Sequence, residues 1–228
     1  MSGMNETQAR EAICAIGESL YARGYVHATA GNISVRLEDG GFLITPTDAC
    51  LGRLEPQRLA RLDASGRQLS GDRGSKTIAL HRAIYAATLA TGHPARSVLH
   101  THSTHTVALT LRPYPQTNEP ELLRALTPYF VMKVGRVPVL PYHRPGDPAV
   151  AQLVAERIAA YAARGIRLRA VMLSRLGPNV WHDDPASAAA VLEELEETAR
   201  LALLAGDGAV PLEAGHIQEL RDTFDAQW

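Results

Sequence analysis

The 228-residue chain has few cysteines, no marked excess of charge and no long apolar run. Its two cysteines, Cys14 and Cys50, form no C-x-x-C pair, which favours buried, reduced thiols over a disulfide framework. The 23 basic residues nearly balance the 24 acidic ones, so no overall field favours nucleic acid or an anionic membrane. No apolar stretch approaches the ~18–20 residues of a membrane-spanning helix.

The N-terminal segment also lacks the features of a secretory signal. Met1–Glu6 has neither a basic nor an apolar region, so the sequence predicts a cytoplasmic protein. A chain of this length can bury a substantial core, and no internal repeat, low-complexity tract or long linker divides it. We therefore expect a single domain over residues 1–228.

Local signals predict helices and short strands in an irregular order. Asn5 and Gln8 form a candidate capping box for a first helix, while Asp184 and Pro185 begin a long helix that ends at Gly206. We expect the glutamates of this long helix to be solvated. The expected strands lie near 32–37, 41–45, 98–102, 136–141 and 170–173, and further helices begin near 75 and 149. Because strands and helices do not alternate strictly, an α/β fold with a mixed or antiparallel sheet is expected.

The most informative motif is the strand-like run Val98–His102. Side chains alternate between the two faces of a strand, so His100 and His102 point the same way with Cα atoms ~6.5 Å apart. Both imidazoles can then bind one Zn²⁺ at ~2.0–2.1 Å. The alternative is a pair of polar residues on a half-exposed strand, and the short motif alone does not decide between the two.

Three other segments have the composition of anion-binding loops. Gly31 and Asn32 offer close backbone approach and an amide, and Thr47 ends a predicted strand with a hydroxyl. Ser75 and Lys76 lie where a helix is expected to begin, which is a natural anion site. Taken singly, each segment is equally typical of an ordinary turn, strand end or capped helix.

In their order and spacing, these motifs resemble the class II aldolase and adducin family. The matches are Gly-Asn-Ile-Ser at 31–34, Thr-Pro-Thr at 45–47, Ser75, the helix with His81 and Tyr85, and His100-x-His102. Other segments resemble the family members that decarboxylate 3-oxo-tetronate 4-phosphate, at 50–52, 69–72, 127–132, 142–147 and 192–199. The resemblance implies an α/β fold of three layers, with a central, mostly antiparallel sheet flanked by helices.

The resemblance also implies a site and an assembly. It places the phosphate or carboxylate pocket at Asn32, Thr47, Ser75 and Lys76, and two ligands of a zinc ion or another divalent transition metal at His100 and His102. It further implies a small acid sugar phosphate as substrate and a homotetramer with active sites at subunit interfaces.

Three positions depart from the family pattern. Thr77 replaces a catalytic glutamate, and its hydroxyl does not titrate near pH 7. Leu176 replaces the third zinc histidine and cannot bind metal. Asp48 stands where phosphate-binding relatives often have glycine, and its carboxylate would repel a phosphate if it pointed inward. His143 is the first candidate for the missing ligand, because it follows a strand expected to end near the same pocket; the alternative is that it is an ordinary loop histidine. Weaker candidates are His27, His105 and His182.

The expected function is metal-dependent decarboxylation of a 3-oxo-tetronate 4-phosphate type of substrate. Loss of CO₂ requires an electrophile at the keto oxygen and later a proton donor, but no strong base. It therefore tolerates Thr77 better than aldol cleavage does. We expect Lys76 to bind the substrate anion, and Tyr142, Lys76 or a water to supply the proton. The alternatives are a retro-aldolase acting on a small sugar phosphate and a non-catalytic, adducin-like assembly module.

Overall fold

The protein is described by a computed structural model over residues 4–112 and 120–228, so residues 1–3 of the N-terminal segment discussed above lie outside the described ranges. Within these ranges the chain forms six α-helices and an eight-stranded sheet. The helices are α1 (Glu6–Ala22), α2 (Ile78–Ala90), α3 (Thr104–Leu109), α4 (Ala149–Ala162), α5 (Pro185–Ala205) and α6 (Ala214–Phe224). The strands are β1 (Asn32–Arg36), β2 (Phe42–Ile44), β3 (Ala60–Leu62), β4 (Gln68–Ser70), β5 (Ser97–His100), β6 (Val139–Leu140), β7 (Ala170–Leu173) and β8 (Gly177–His182).

The sheet has the strand order β4-β3-β2-β1-β5-β8-β7-β6. Every neighbouring pair is antiparallel except β6 and β7, which are parallel. The expected mostly antiparallel sheet is therefore confirmed. Strand β5, which carries His100, lies in the middle of the sheet with β1 on one side and β8 on the other.

Local capping signals locate the ends of the two longest helices. The Asn5 side chain accepts a hydrogen bond from Gln8 N at 2.9 Å, and the Gln8 side chain accepts one from Asn5 N at 3.0 Å, which is the predicted capping box of α1. At the start of α5, Asp184 accepts a hydrogen bond from Ser187 N at 2.8 Å. Helix α5 ends at Gly206, whose φ of 63° favours glycine.

Two predicted bounds near the candidate site differ from the structure. Strand β5 ends at His100, so His102 lies just beyond it, in the link to α3. Helix α2 begins at Ile78, so Ser75 and Lys76 lie in a turn before the helix and not in its first residues. A hydrogen bond of 3.2 Å from Ile78 N to the Ser75 carbonyl closes that turn.

Helices α1 and α5 cover one face of the sheet. Ile33, Leu99 and Val180 are paired across β1, β5 and β8, and all three are fully buried on this face. They pack in one cluster with the apolar stripes of the two helices, represented by Ile13 and Leu192.

Helices α2 and α4 cover the opposite face. Val98 and Trp181, paired between β5 and β8, pack there against Ile84 of α2 and Val154 of α4. With helices on both faces, the predicted three-layer α/β architecture is confirmed. Within the described ranges, no helix is long and apolar enough to cross a membrane.

The start of β8 lies against the backbone that follows β5. Gly177 has a φ of 140°, and a Cβ placed on it would lie 1.9 Å from the Thr101 carbonyl oxygen and 3.2 Å from the His102 Cα. Only a residue without a side chain fits this position. The close approach of Gly177 therefore fixes where Thr101 and His102 lie.

We predict that Gly177→Ala lowers the free energy of unfolding by at least ~2 kcal/mol, because the methyl group meets backbone that cannot move independently of the sheet. Gly92→Ala is the matched control. Gly92 also has a positive φ of 80°, but no atom lies within 4 Å of its Cβ position, so only the backbone strain of ~1 kcal/mol is expected. Urea denaturation measures both variants, and equal losses would show that the Thr101 carbonyl yields freely.

Candidate active site

His100 and His102 lie side by side at the end of β5. Their ring centroids are 5.0 Å apart, and the ring planes meet at 66°. The Nδ1 atom of His100 lies 2.9 Å from the carbonyl oxygen of Pro178. Since a carbonyl only accepts hydrogen bonds, Nδ1 carries the proton, and Nε2 keeps a lone pair for a cation.

The environment of both rings favours their neutral form. Burial lowers the pKa of His100 to about 4 and the nearby His102 adds to this effect, whereas the hydrogen bond to Pro178 opposes it. Burial also lowers the pKa of His102, with a further contribution from His27. Neutral imidazole is the form that binds metal, so this pair fits a divalent cation.

The loop before β1 contacts this pair. The ring of His27 lies 6.4 Å from that of His102, measured between centroids. Gly31 has a φ of 86°, and a Cβ placed on it would lie 2.8 Å from the His100 carbonyl oxygen. Of the weaker ligand candidates, His27 is thus the one that the structure brings next to the pair.

Two of the three predicted anion-binding segments, the loops of Thr47 and Ser75, are joined by backbone hydrogen bonds. Thr47 N donates to the Arg73 carbonyl at 2.8 Å, and Ser75 N donates to the Thr45 carbonyl at 3.1 Å. The Thr47 hydroxyl donates to the Gly74 carbonyl at 2.9 Å. Thr47 and Ser75 therefore lie on adjacent loops, and their role in a phosphate pocket stays a prediction.

Thr77, where the resemblance implies a glutamate, has a hydroxyl that contacts its own loop. Thr77 Oγ1 lies 2.6 Å from Ser75 Oγ, and Thr77 N donates to the same Ser75 oxygen at 3.4 Å. Thr77 thus supports the conformation of the loop. It offers no carboxylate to a substrate or a cation.

A cavity of about 330 Å³ opens beside these loops. Asp48 lines it with a φ of 57°, a backbone conformation that favours glycine. Arg58, also in the lining, is held by Asp72 at 2.7 Å and by Glu55 at 3.3 Å. The full lining is Pro46, Thr47, Asp48, Ala49, Cys50, Arg53, Leu54, Glu55, Arg58, Asp72 and Arg73. The lining thus contains both charges, and Asp48, whose carboxylate would repel a phosphate, has arginines among its neighbours.

The other predicted site residues occupy accessible positions. Lys76 is exposed, and 59% of Tyr142 is exposed. His143 Nδ1 lies 3.3 Å from the Asp147 carboxylate, four residues on. The role of His143 as third metal ligand stays a prediction.

A second group of side chains that could bind a metal ion lies at the opposite end of β5. Among the described residues, one group of three His, Cys, Asp or Glu has ligand atoms that all lie within 4.8 Å, namely His182, Asp183 and Asp184. His182 pairs with Ser97, at the opposite end of β5 from His100. Asp184 already caps α5, so one of the three carboxylate or imidazole groups is engaged at the helix start. His143 does not join His100 and His102 in any such group of the described residues.

Glu196 corrects the expectation that all glutamates of α5 are solvated. Its buried carboxylate accepts hydrogen bonds from the backbone N–H groups of His105 at 2.8 Å and Thr106 at 3.1 Å. These N–H groups begin α3, where they have no partner within the helix. His105 Nδ1 also lies 2.8 Å from Glu196, so this ring is directed to α5. Glu196 thus fixes the chain directly after His102.

A row of buried polar side chains crosses the middle of the sheet. Asn32 pairs with His100 between β1 and β5, and His100 pairs with Asn179 between β5 and β8, so all three share one face. Among the described residues, Asn32 Oδ1 and both amide atoms of Asn179 are buried without a hydrogen-bond partner. Asn179 has no counterpart among the predicted site residues.

His81 of α2 lies over the same row. Its Nδ1 atom is 2.7 Å from Ser34 Oγ, which is also 2.7 Å from the Tyr85 hydroxyl. Its Nε2 atom is buried without a partner among the described residues. Burial lowers the pKa of His81 to about 3, and the nearby His100 adds to this effect.

Sequence comparisons agree on one family. The profile of the Class II Aldolase and Adducin N-terminal domain matches residues 11–203. The 3-oxo-tetronate 4-phosphate decarboxylase of Cupriavidus necator is 51% identical, covering 98% of this chain and 99% of that protein. The enzyme of the same name from Escherichia coli K12 is 42% identical, with 95% and 96% covered.

Solved structures agree with these matches. The crystal structure of Escherichia coli YgbL superposes with a TM-score of 0.83 at 41% identity, covering 95% of this chain and 99% of that one. The L-fuculose-1-phosphate aldolase of Thermus thermophilus superposes with a TM-score of 0.70 at 28% identity, with 90% and 98% covered.

We predict that the pH dependence of stability reports the buried state of His81. Unfolded histidine binds a proton below pH ~6.5, but folded His81 stays neutral down to about pH 3, so stability falls as the pH falls between these values. His100 acts in the same direction. His81→Gln lowers by one the number of protons that the unfolded state binds in excess of the folded state. The slope of its free energy of unfolding against pH, between pH 6 and 4.5, is therefore expected to be shallower by up to ~1.4 kcal/mol per pH unit.

Urea denaturation at several pH values measures that slope, independently of any overall loss of stability in the variant. His216→Gln, which changes an exposed histidine of α6, is the matched control for the loss of a histidine. Identical slopes for His81→Gln and the unsubstituted protein would show that His81 titrates normally when folded.

Proposed function

This chain belongs to the class II aldolase and adducin family, and on that premise we propose that it is a metal-dependent lyase that decarboxylates 3-oxo-tetronate 4-phosphate or a similar four-carbon acid sugar phosphate. The observation that carries the proposal is the neutral His100–His102 pair at the end of β5, in a chain 51% identical over nearly its full length to a decarboxylase of that substrate.

The proposed cofactor is Zn²⁺ or another divalent transition metal held by His100 and His102. When bound there, such a cation supplies Lewis acidity to the keto oxygen of the substrate. The hydrogen bond from His100 Nδ1 to Pro178 orients the ring for this role by keeping Nε2 unprotonated.

The proposed binding residues for the substrate's phosphate are Asn32, Thr47, Ser75 and Lys76. Hydrogen bonds hold the loops of Thr47 and Ser75 together, so a phosphate can contact both. Lys76 adds a full positive charge on the second loop. The charge of Asp48 acts in the opposite direction, and the lining of the adjoining cavity adds the cations Arg53 and Arg73 beside the already paired Arg58.

The proposed reaction breaks one carbon–carbon bond. The bond between C1 and C2 breaks and CO₂ leaves. The electron pair of the broken bond moves into the C2–C3 bond and forms an enediolate. A proton then adds to C2 and gives a triose phosphate. Tyr142, Lys76 or a water is the proposed proton donor, and the exposure of Tyr142 leaves it accessible to substrate.

A non-catalytic, adducin-like assembly module is the second candidate, favoured by Thr77 and Leu176 at the two departures from the family pattern. Retro-aldol cleavage of a sugar phosphate is less well supported, because the Thr77 hydroxyl is engaged by Ser75 and provides no acid or base.

As further parts of the proposal, the protein acts in the cytoplasm as a homotetramer with active sites at subunit interfaces.

We predict that purified, metal-loaded protein releases CO₂ from 3-oxo-tetronate 4-phosphate. His100→Ala and His102→Ala should lower this rate by at least ~10²-fold and lower the bound metal measured by elemental analysis, because they remove metal ligands. His216→Ala, on the exposed face of α6, is the matched control and should retain both.

The outcomes separate the candidate functions. Metal binding without CO₂ release would exclude this substrate, and detection of an aldehyde product would support aldol cleavage. A protein that binds no metal even on titration would support the assembly module.

We also predict a specific role for Lys76, one of only two lysines in the chain. Lys76→Ala should lower kcat/KM for the phosphorylated substrate by ~10–100-fold, the size of a lost charge-assisted hydrogen bond of ~1.5–3 kcal/mol. Lys133→Ala, which removes the other lysine at an exposed position, should leave kinetics unchanged. Equal kinetics for both variants would remove Lys76 from the anion site.

A further inference from the structure

Asn179 is a buried amide in the strand next to the histidine pair. It is fully buried and pairs with His100 across β5 and β8. The neighbouring pair is joined by a hydrogen bond of 3.3 Å from Thr101 N to the Pro178 carbonyl, so the His100–Asn179 pair is of the non-hydrogen-bonded kind. In such pairs the Cα atoms are only ~4.5 Å apart, and the side chains on the shared face are close neighbours.

The amide of Asn179 has no partner within the described protein. Neither Oδ1 nor Nδ2 is hydrogen-bonded, although both atoms are buried. Burying an amide in this way costs ~1–3 kcal/mol, a penalty that an apolar residue would avoid. The same face of β8 carries the apolar Trp181, and Val171 of β7 pairs with Asn179. An asparagine at this position therefore indicates a polar partner that the described residues do not supply.

The lone pairs around His100 indicate a cation. His100 Nε2 is unprotonated, because Nδ1 donates to Pro178. The two flanking side chains, Asn32 and Asn179, each add a buried amide oxygen without a donor among the described residues. Several acceptors collected around one imidazole are better satisfied by a positive ion than by an anion.

The other candidates for a third ligand are less well placed. Leu176 has no ligand atom and packs at the edge of the apolar cluster under α2 and α4. His143 contacts Asp147 and forms no close group with the histidine pair among the described residues. His27 lies next to His102, with ring centroids 6.4 Å apart, but it also forms no such group with the pair among the described residues. Asn179 shares a face with His100 and is its direct neighbour.

We propose that the side-chain oxygen of Asn179 is the third protein ligand of the divalent cation at His100 and His102, in place of a third histidine. This inference rests on the metal dependence in the proposed function and deepens it. Two imidazole nitrogens and one amide oxygen form a harder ligand set than three imidazoles. The site should therefore favour Zn²⁺ over Mn²⁺ less strongly than a three-histidine site does.

The test measures metal affinity and not activity. Zn²⁺ and Mn²⁺ affinities are determined by competition with a chromophoric chelator for the unsubstituted protein, Asn179→Val, Asn179→Asp and the control His143→Ala. We expect Asn179→Val to lose at least ~10-fold in Zn²⁺ affinity and Asn179→Asp to retain or exceed the original affinity. His143→Ala should bind as tightly as the unsubstituted protein. Co²⁺-loaded Asn179→Val should also show a changed visible absorption spectrum.

A stability measurement guards against misfolding. With a chelator present, Asn179→Val should unfold at the same urea concentration as the unsubstituted protein or a higher one, because it removes an unpartnered buried amide. Unchanged Zn²⁺ affinity in Asn179→Val overturns the proposal and leaves a buried water as the amide's partner. A loss confined to His143→Ala overturns it in favour of His143, and failure of the unsubstituted protein to bind metal overturns it together with the proposed function. Metal affinity that depends on Asn179 without any CO₂ release would uphold this inference while the proposed decarboxylation fails.

Discussion

Two hydrogen bonds to one carbonyl oxygen, that of Pro178, hold the candidate site together. Thr101 N donates to it at 3.3 Å and His100 Nδ1 at 2.9 Å. The first bond ties the end of β5 to β8, and the second sets the tautomer of the histidine. Because Gly177 lies directly against the Thr101 carbonyl, the backbone around His102 is fixed by the same contact. The position and the chemistry of the pair thus depend on two consecutive residues, Gly177 and Pro178, at the start of β8.

Features with local causes could be predicted from the sequence. The capping box of Asn5 and Gln8 depends on residues three apart. The closeness of the His100 and His102 rings also follows from residues two apart, although His102 lies beyond the end of β5 and strand alternation does not set its orientation. The meeting of the Thr47 and Ser75 loops is different, because it came from the family resemblance. Spacing alone could not have indicated that these loops bind each other.

Features with long-range causes were missed. Gly177 and Pro178 are typical of a turn, yet their contact with β5 makes them the start of β8. Glu196 follows Leu192 by four residues and so lies on the buried side of α5, a signal that the acidic run around it obscured. The position of Asn179 beside His100 depends on the register of two strands whose pairing the sequence does not reveal.

The outermost strands restrict how copies of this protein can associate. β4 has three residues and β6 has two, and Val139 of β6 already donates a hydrogen bond to the Pro120 carbonyl at 2.8 Å. Such short edge strands offer very few backbone hydrogen bonds to an additional strand from another chain. Strand addition at either edge is therefore disfavoured, and side-chain surfaces of helices and loops are the better places for copies of this protein to meet.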